Sequence, residues 1–309
     1  MRNKTYYADL HIHSYWSDGS CSPREIALRA KKQGLSYVCL TDVMNLGGWL
    51  EFNKACAEFG LKTDPSLELQ TFYKNDWVEL LLYDKNVFNK SFLPFLDQAK
   101  QASKVVAFLY TGYLRSQGIM VSKSEVDNFF KIPKERTLSL YRINEYLRRT
   151  HHIPREEISR FIRDANLRHI DRLDIYREWL PRLENVLYET NKLNIVSCYA
   201  YPGVAAERRR KMKGTNKETE FQKIIDESLI LKKIGLNAIE VRCPEHSSEE
   251  ENKLLDHARA NNFIIIGGSG FHGDKKTEHK PKIILGSNGI NKTEYEVYMS
   301  KVNKTKPSK

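Results

Sequence analysis

No apolar run in the chain approaches the roughly 18 residues that a membrane-crossing helix needs. Its start, Met1-Arg2-Asn3-Lys4, leads into a strand-like segment and shows no signal-peptide pattern. No membrane role is therefore expected, and a cytoplasmic location is. Cysteine is scarce: Cys21, Cys39, Cys56, Cys198 and Cys243 are odd in number, scattered, and form no C-x-x-C pair. That argues against a disulfide framework and for free thiols in a reducing compartment. There is no internal repeat, no dinucleotide-binding fingerprint and no P-loop. Acidic residues are the minority charge, 39 against 50 Lys and Arg, which leaves a formal net charge of +11. Such a surplus suits a polyanionic partner, nucleic acid or nucleotide, and equally suits a solvated basic surface.

What is present is concentrated in residues 8–20, A-D-L-H-I-H-S-Y-W-S-D-G-S. Side chains two apart in an extended segment share a face, so His11 and His13 are placed side by side. Asp18 follows in the next turn. Two imidazoles and a carboxylate so arranged fit a divalent metal; a strand with two solvent-facing histidines fits the same spacing.

At 309 residues the chain is long enough for one large α/β domain, or a domain with an insertion. Residues 6–10 read as a strand. Ser22-Pro23-Arg24-Glu25 then caps a helix that runs to about Gln33. A second strand ends at Asp42, a helix covers about 48–59, and strands follow near Leu67–Thr71 and Trp77–Tyr83. The alternation predicts an α/β domain with a largely parallel sheet. His11, His13, Asp42 and Glu68 fall where strands end, as in a barrel with its site at the strand C-termini. From about 91 to 190 the chain is basic and helical in period, which predicts a helical insertion; Pro133 and Pro154 punctuate it. The α/β rhythm returns with strands near 193–200, 238–242 and 263–269, and residues 291–309 read as a polar, basic, frayed tail.

Secondary candidates carry competing bland readings. Asp42 is a ligand or, the favoured reading, a helix cap. Glu240 and His246 lie near the expected mouth, Glu240 buried on a partner and His246 capping the next helix. Arg208, Arg209 and Arg210 either grip phosphate or form a solvated loop. His151 and His152, expected at a helix start, and His169, within a helix, are read as surface or packing residues, and the cysteines as core.

The order of motifs D-L-H-I-H-S-x-x-S-D-G, L-T-D, L-E-L-Q, Y-P-G, I-E-V and G-G-S-x-F-H-G resembles the PHP (polymerase and histidinol phosphatase) superfamily. The resemblance covers roughly residues 1–90 and 191–290. The helical insertion makes the chain similar to the branch holding 3′,5′-nucleoside bisphosphate phosphatases and 5′-to-3′ exoribonucleases. It implies a distorted (β/α)7 TIM-like barrel that hydrolyses phosphate esters with divalent ions, manganese foremost, or zinc or iron. His11 and His13 match ligands of the first metal, Asp18 and His272 match ligands of the second, and Glu68 matches the carboxylate bridging the first and third.

Four matching positions depart from the family pattern. Val43, Tyr201 and Glu79 stand where it has histidines, and Gly270 where it has aspartate. Valine and glycine bring no ligand atom. Tyrosine ligates only as phenolate, far from its ordinary state at neutral pH. Glutamate can ligate, so Glu79 is retained as a third-metal candidate. The resemblance thus implies a phosphoesterase acting on nucleotide or short RNA or DNA phosphate esters through a metal-activated water, impaired by altered ligands and with fewer than three ions. Two alternatives stand beside it: a catalytically silent module binding nucleotide or RNA, and a phosphatase of small phosphate monoesters.

Overall fold

The computed structural model describes residues 6–74, 76–130, 138–165, 179–273 and 283–302. Seven strands close into a ring in chain order: β1 (Ala8–Ile12), β2 (Tyr37–Leu40), β3 (Ser66–Tyr73), β4 (Asp76–Tyr83), β5 (Val196–Tyr199), β6 (Ala238–Arg242) and β7 (Ile264–Gly267). β1 pairs with β2, and β3 through β7 form a continuous five-stranded sheet. Two seams join these sheets just beyond the strand ends. Val43 bridges Glu68 at one, and Ile12 bridges Phe271 at the other. The second seam is held by His13 N–H to Phe271 O (2.9 Å) and Gly270 N–H to His11 O (2.9 Å).

The sheet is less parallel than the strand–helix alternation predicts. β4 runs antiparallel to both β3 and β5, because β3 and β4 are an in-register hairpin from Ser66↔Tyr83 to Tyr73↔Asp76. Only two residues, 74 and 75, separate these strands in sequence, too few for a crossover. This one reversed strand is the distortion of the TIM-like barrel.

Strand residues divide among three cores, one of which gathers Ile12, Val38 and Leu40 with the buried faces of α1 (Pro23–Lys32) and α2 (Trp49–Glu58). Leu10, Cys39, Leu81, Tyr83, Cys198, Ala238 and Ile266 form one buried cluster. Side chains from strands so far apart around a ring meet only in its interior. The expected frayed tail contributes here: Lys292–Val302 is a helix whose Tyr295, Tyr298 and Val302 are buried in the same cluster. Their i, i+3, i+7 spacing is one helical face, and burial of that face against Tyr37 and Tyr83 outweighs the polarity of the segment. Residues 303–309 lie outside the described residues, as does His169.

The outward residues Leu80 and Leu82 join Leu96, Val106 and Tyr110 of α3 (Leu93–Ser116) and Ile143 and Leu147 of α5 (Leu140–Thr150) in a second cluster. α4 (Lys123–Phe130) and α6 (Arg155–Asp164) are further helices of this stretch. His151 caps the end of α5, not a helix start; the next helix begins only after Pro154. The basic run 208–213 is not a loop but the last half of a helix, Pro202–Lys213. All five cysteines are buried and free. Among the described residues no helix is long and apolar enough to cross a membrane.

Candidate metal centre

β1 has an irregular register between Asp9 and Ile12, and it delivers His11 and His13 to one point with ring centroids 4.9 Å apart. Glu68, from β3, places Oε2 2.9 Å from His11 Nε2 and 3.6 Å from His13 Nε2. His11 Nδ1 lies 2.8 Å from Glu240 Oε1, so the strand β6 carboxylate fixes the far side of that ring. Glu240 also accepts from Tyr201 N–H at 2.9 Å. Both His11 and Glu240 are fully buried.

A second group forms beside the first. His272 Nε2 is 3.1 Å from Asp18 Oδ2, and His13 Nδ1 is 3.6 Å from Asp18 Oδ1. The rings of His13 and His272 stack with centroids 4.4 Å apart. His272 Nδ1 faces Gly270 O at 2.5 Å, which leaves Nε2 as the ligand atom. Asp18 sits in a loop folded back on β1. Gly19 N–H donates to Ser14 O, and a Cβ at Gly19 would fall 2.2 Å from His13 O, so only glycine fits there.

Asp42 holds the same loop. It accepts from Ser14 N–H (2.7 Å), Ser14 Oγ (2.6 Å) and Ser17 Oγ (2.5 Å). It is not the helix cap favoured from sequence. The next helix, Trp49–Glu58, starts seven residues on with Gly48 at its cap. Burial pushes the Asp42 carboxyl up to about 6 against the pull of those hydrogen bonds.

The altered positions lie directly against these ligands. Val43 is bridged through its backbone to Glu68, and its side chain lines the cavity beside that carboxylate without a ligand atom. Tyr201 adopts a left-handed backbone (φ 50°, ψ 51°), a costly state for a bulky residue. Its hydroxyl lies 3.1 Å from His11 Nε2. Burial, with the charges of Glu240 and Glu68, raises the phenol well above its usual range. A Cβ added at Gly270, itself at φ +58°, would stand 3.0 Å from that hydroxyl. The Tyr201 hydroxyl and a side chain at 270 therefore compete for one space. Glu79 faces the cavity from β4, outside both ligand groups. Burial and the nearby Glu68 push its carboxyl up to about 7.

Glu68 and Asp18, one carboxylate from each ligand group, line a cavity of about 380 Å³ between the barrel mouth and helices α3 and α5. Trp16, Asp18, Glu68 and Glu79 line its floor; Lys100 of α3 and Tyr141 and Asn144 of α5 line its roof. The three arginines nominated for phosphate are engaged elsewhere. Arg208 donates to Asp76 and Trp77 O, Arg209 pairs with Asp76 and Glu227, and Arg210 pairs with Glu207. His246 does not cap the helix that follows it, where Ser247 forms a capping box with Glu250. It accepts instead from Gly203 N–H at the start of Pro202–Lys213.

The donor set fits a divalent ion. His11, His13 and Glu68, and His13, Asp18 and His272, each bring three ligand atoms within 4.8 Å of one another. Atoms sharing an ion at about 2.0–2.2 Å stand roughly 3–4 Å apart, and imidazole with carboxylate suits zinc, manganese or iron. His13 Nδ1 is buried without a hydrogen-bond partner. Burial and the neighbouring His272 hold His13 well below the ordinary histidine range, so it is neutral with a lone pair to give. Burial works against charge on His11 too, but Glu240 and Glu68 outweigh it and hold His11 well above that range. A neutral imidazole has one lone pair, so His13 completes one group at a time.

A model of the PHP domain family matches residues 9–229. An error-prone DNA polymerase of Mycobacterium tuberculosis is 40% identical over 65 residues, 20% of this chain and 6% of the polymerase. A 5′-3′ exoribonuclease of Haemophilus influenzae is 34% identical over 79 residues, 25% of this chain and 29% of that enzyme. The chain thus matches less than a third of the length of either relative. Two solved structures follow it nearly end to end. A candidate metal-dependent phosphoesterase from Bifidobacterium adolescentis has TM-score 0.74 and 22% identity over 95% of this chain and 96% of that one. An amidohydrolase from Chromobacterium violaceum has TM-score 0.70 and 18% identity over 96% of each. At these identities the likeness concerns the fold, and the family model covers most of the chain, including His11, His13, Asp18 and Glu68 but not His272. The chain belongs to the PHP domain family.

Proposed function

We propose that the chain is a metal-dependent phosphoesterase acting on nucleotide or short nucleic-acid phosphate esters in the cavity between barrel mouth and insertion. The observation that carries this reading is the convergence of two imidazole–carboxylate groups on the floor of a cavity whose roof carries Lys100. A divalent ion held there supplies Lewis acidity, lowering the pKa of a water and offsetting phosphoryl charge. The chain's own residues do the rest. His11 is oriented by Glu240, Asp18 by the loop that Asp42 holds, and His272 by the Gly270 carbonyl. Lys100 presents a cation to a phosphate, and Trp16 and Tyr141 offer aromatic surface to a base or sugar. In the reaction water adds to phosphorus, the ester P–O bond breaks, and the alcohol leaves with a proton.

The test is a substrate panel in manganese: nucleoside 3′,5′-bisphosphates, short RNA, and small phosphate monoesters. Phosphate release fastest from the nucleotides supports the reading; release confined to the small monoesters reassigns the substrate. A second reading, a silent nucleotide- or RNA-binding module, draws on the Tyr201 hydroxyl at His11 Nε2 and the absence of ligand atoms at Val43 and Gly270. It requires binding that weakens steeply with salt and no turnover.

A further inference from the structure

Arg142 is among the largest fully buried side chains of the molecule, with 1% of its surface exposed. It projects from α5, and its guanidinium donates to the backbone oxygens of Ser17 and Gly19, the residues on either side of Asp18. The Phe130 ring lies 4.8 Å from the guanidinium carbon and closes its other side. Asp42 holds the loop at Ser14 and Ser17, Asn45 holds it at Trp16, and the His272 carbonyl at Ser20; Arg142 is the anchor that α5 supplies at the residues flanking Asp18. Neighbouring residues of the same helix, Tyr141 and Asn144, roof the cavity.

We infer that Arg142 is a positioning residue that clamps the 17–19 loop and sets Asp18 against His13 and His272, tying the cavity roof to one of the two ligand groups. A guanidinium is suited to this: its planar fork reaches two carbonyls at once, which an ammonium cannot do in the same geometry. A displaced α5 then carries Asp18 with it, and metal affinity at this group depends on a helix that touches no ligand directly.

The inference rests on the metal reading proposed above, and the experiment separates the two. Zinc affinity is measured by chelator competition on the full chain for the wild type, Arg142→Met, Asp18→Asn and the double variant, with a melting curve for each. The clamp predicts that Arg142→Met lowers zinc affinity about 10- to 100-fold, the usual effect of losing a residue that orients a ligand. In the Asp18→Asn background the same substitution produces no further loss. Unchanged zinc affinity in a folded Arg142→Met, or an equal loss with and without Asp18, overturns the clamp. Should Arg142→Met not fold, Arg142→Lys decides: a partial loss of affinity supports the clamp and wild-type affinity overturns it. No zinc binding by the wild type overturns the metal reading itself.

Discussion

The matching and the altered ligand positions of the barrel mouth are built differently. His11, His13, Asp18, Glu68 and His272 converge, and their supports are specific: Glu240 on His11, Asp42 on the loop before Asp18, and the Gly270 carbonyl on His272. Among the altered positions, Val43 stands beside Glu68 without a ligand atom, Tyr201 lays a hydroxyl on His11 Nε2 in a left-handed backbone, and the missing side chain of Gly270 leaves the space that hydroxyl fills. The first set is organised for a cation, the second for packing. The difference teaches that changes at metal-facing positions are not independent. Tyr201 and Gly270 are accommodated together, one supplying the bulk the other lacks.

The largest effect expected on this comparison is from Glu68→Gln or Asp18→Asn. Each replaces an anionic carboxylate ligand of one group by a neutral amide, so metal affinity should fall by more than about 100-fold, beyond the usual cost of losing a residue that merely orients a ligand; isothermal titration with manganese measures it. Next comes Glu240→Gln, which leaves His11 in place but weakens its orientation. A loss of about 10- to 100-fold in manganese affinity is expected, with the melting temperature near that of the wild type.

Gly270→Asp tests the coupling among the altered positions. Its Cβ would meet the Tyr201 hydroxyl at 3.0 Å. The single change should therefore destabilise by about 1–3 kcal/mol, and Tyr201→His in the same chain should relieve part of it, as read from denaturant midpoints. Equal stability of the single and double variants would break the comparison.

Glu79 gives a pH signature in the metal-free chain. Its folded-state pKa is raised, to about 7 against 4.5, so the folded state holds the proton more tightly than the unfolded one. Its contribution is fully present below about pH 4.5 and is lost as pH rises through about 7. Glu79→Gln removes that loss. The variant should gain on the wild type between pH 5 and 8 by about 2 kcal/mol, allowing for partial exposure to cavity water. The smallest effect is expected at Arg210, whose partner is Glu207 on its own helix. Arg210→Ala should leave both the denaturant midpoint and phosphate release unchanged.

Much of the ligand side was legible in sequence because its residues lie in short, local motifs: two histidines at strand spacing, a following Asp-Gly, and a terminal Phe-His-Gly. What was not legible depends on contacts across the chain. Arg142 stands 123 residues from Gly19 in a segment with no motif, and only the fold brings them together. Asp42 reads as a cap because strand-end aspartates commonly cap; its hydroxyl partners at Ser14 and Ser17 lie on a different strand's loop. Arg208 and Arg209 read as a free basic run because their carboxylate, Asp76, is 132 and 133 residues away. Two other signals are local: a spacing of only two residues between two apolar strand segments favours a hairpin over a crossover, and Tyr295, Tyr298 and Val302 mark a helical face in a polar segment.

The most direct test of the account is phosphate release from a nucleoside 3′,5′-bisphosphate, followed against bound manganese in the same sample. The account predicts release that rises with bound metal, stops with a chelator, and is lost in Asp18→Asn. A wild-type chain carrying at least one equivalent of manganese and releasing no phosphate from any ester of the panel would contradict it.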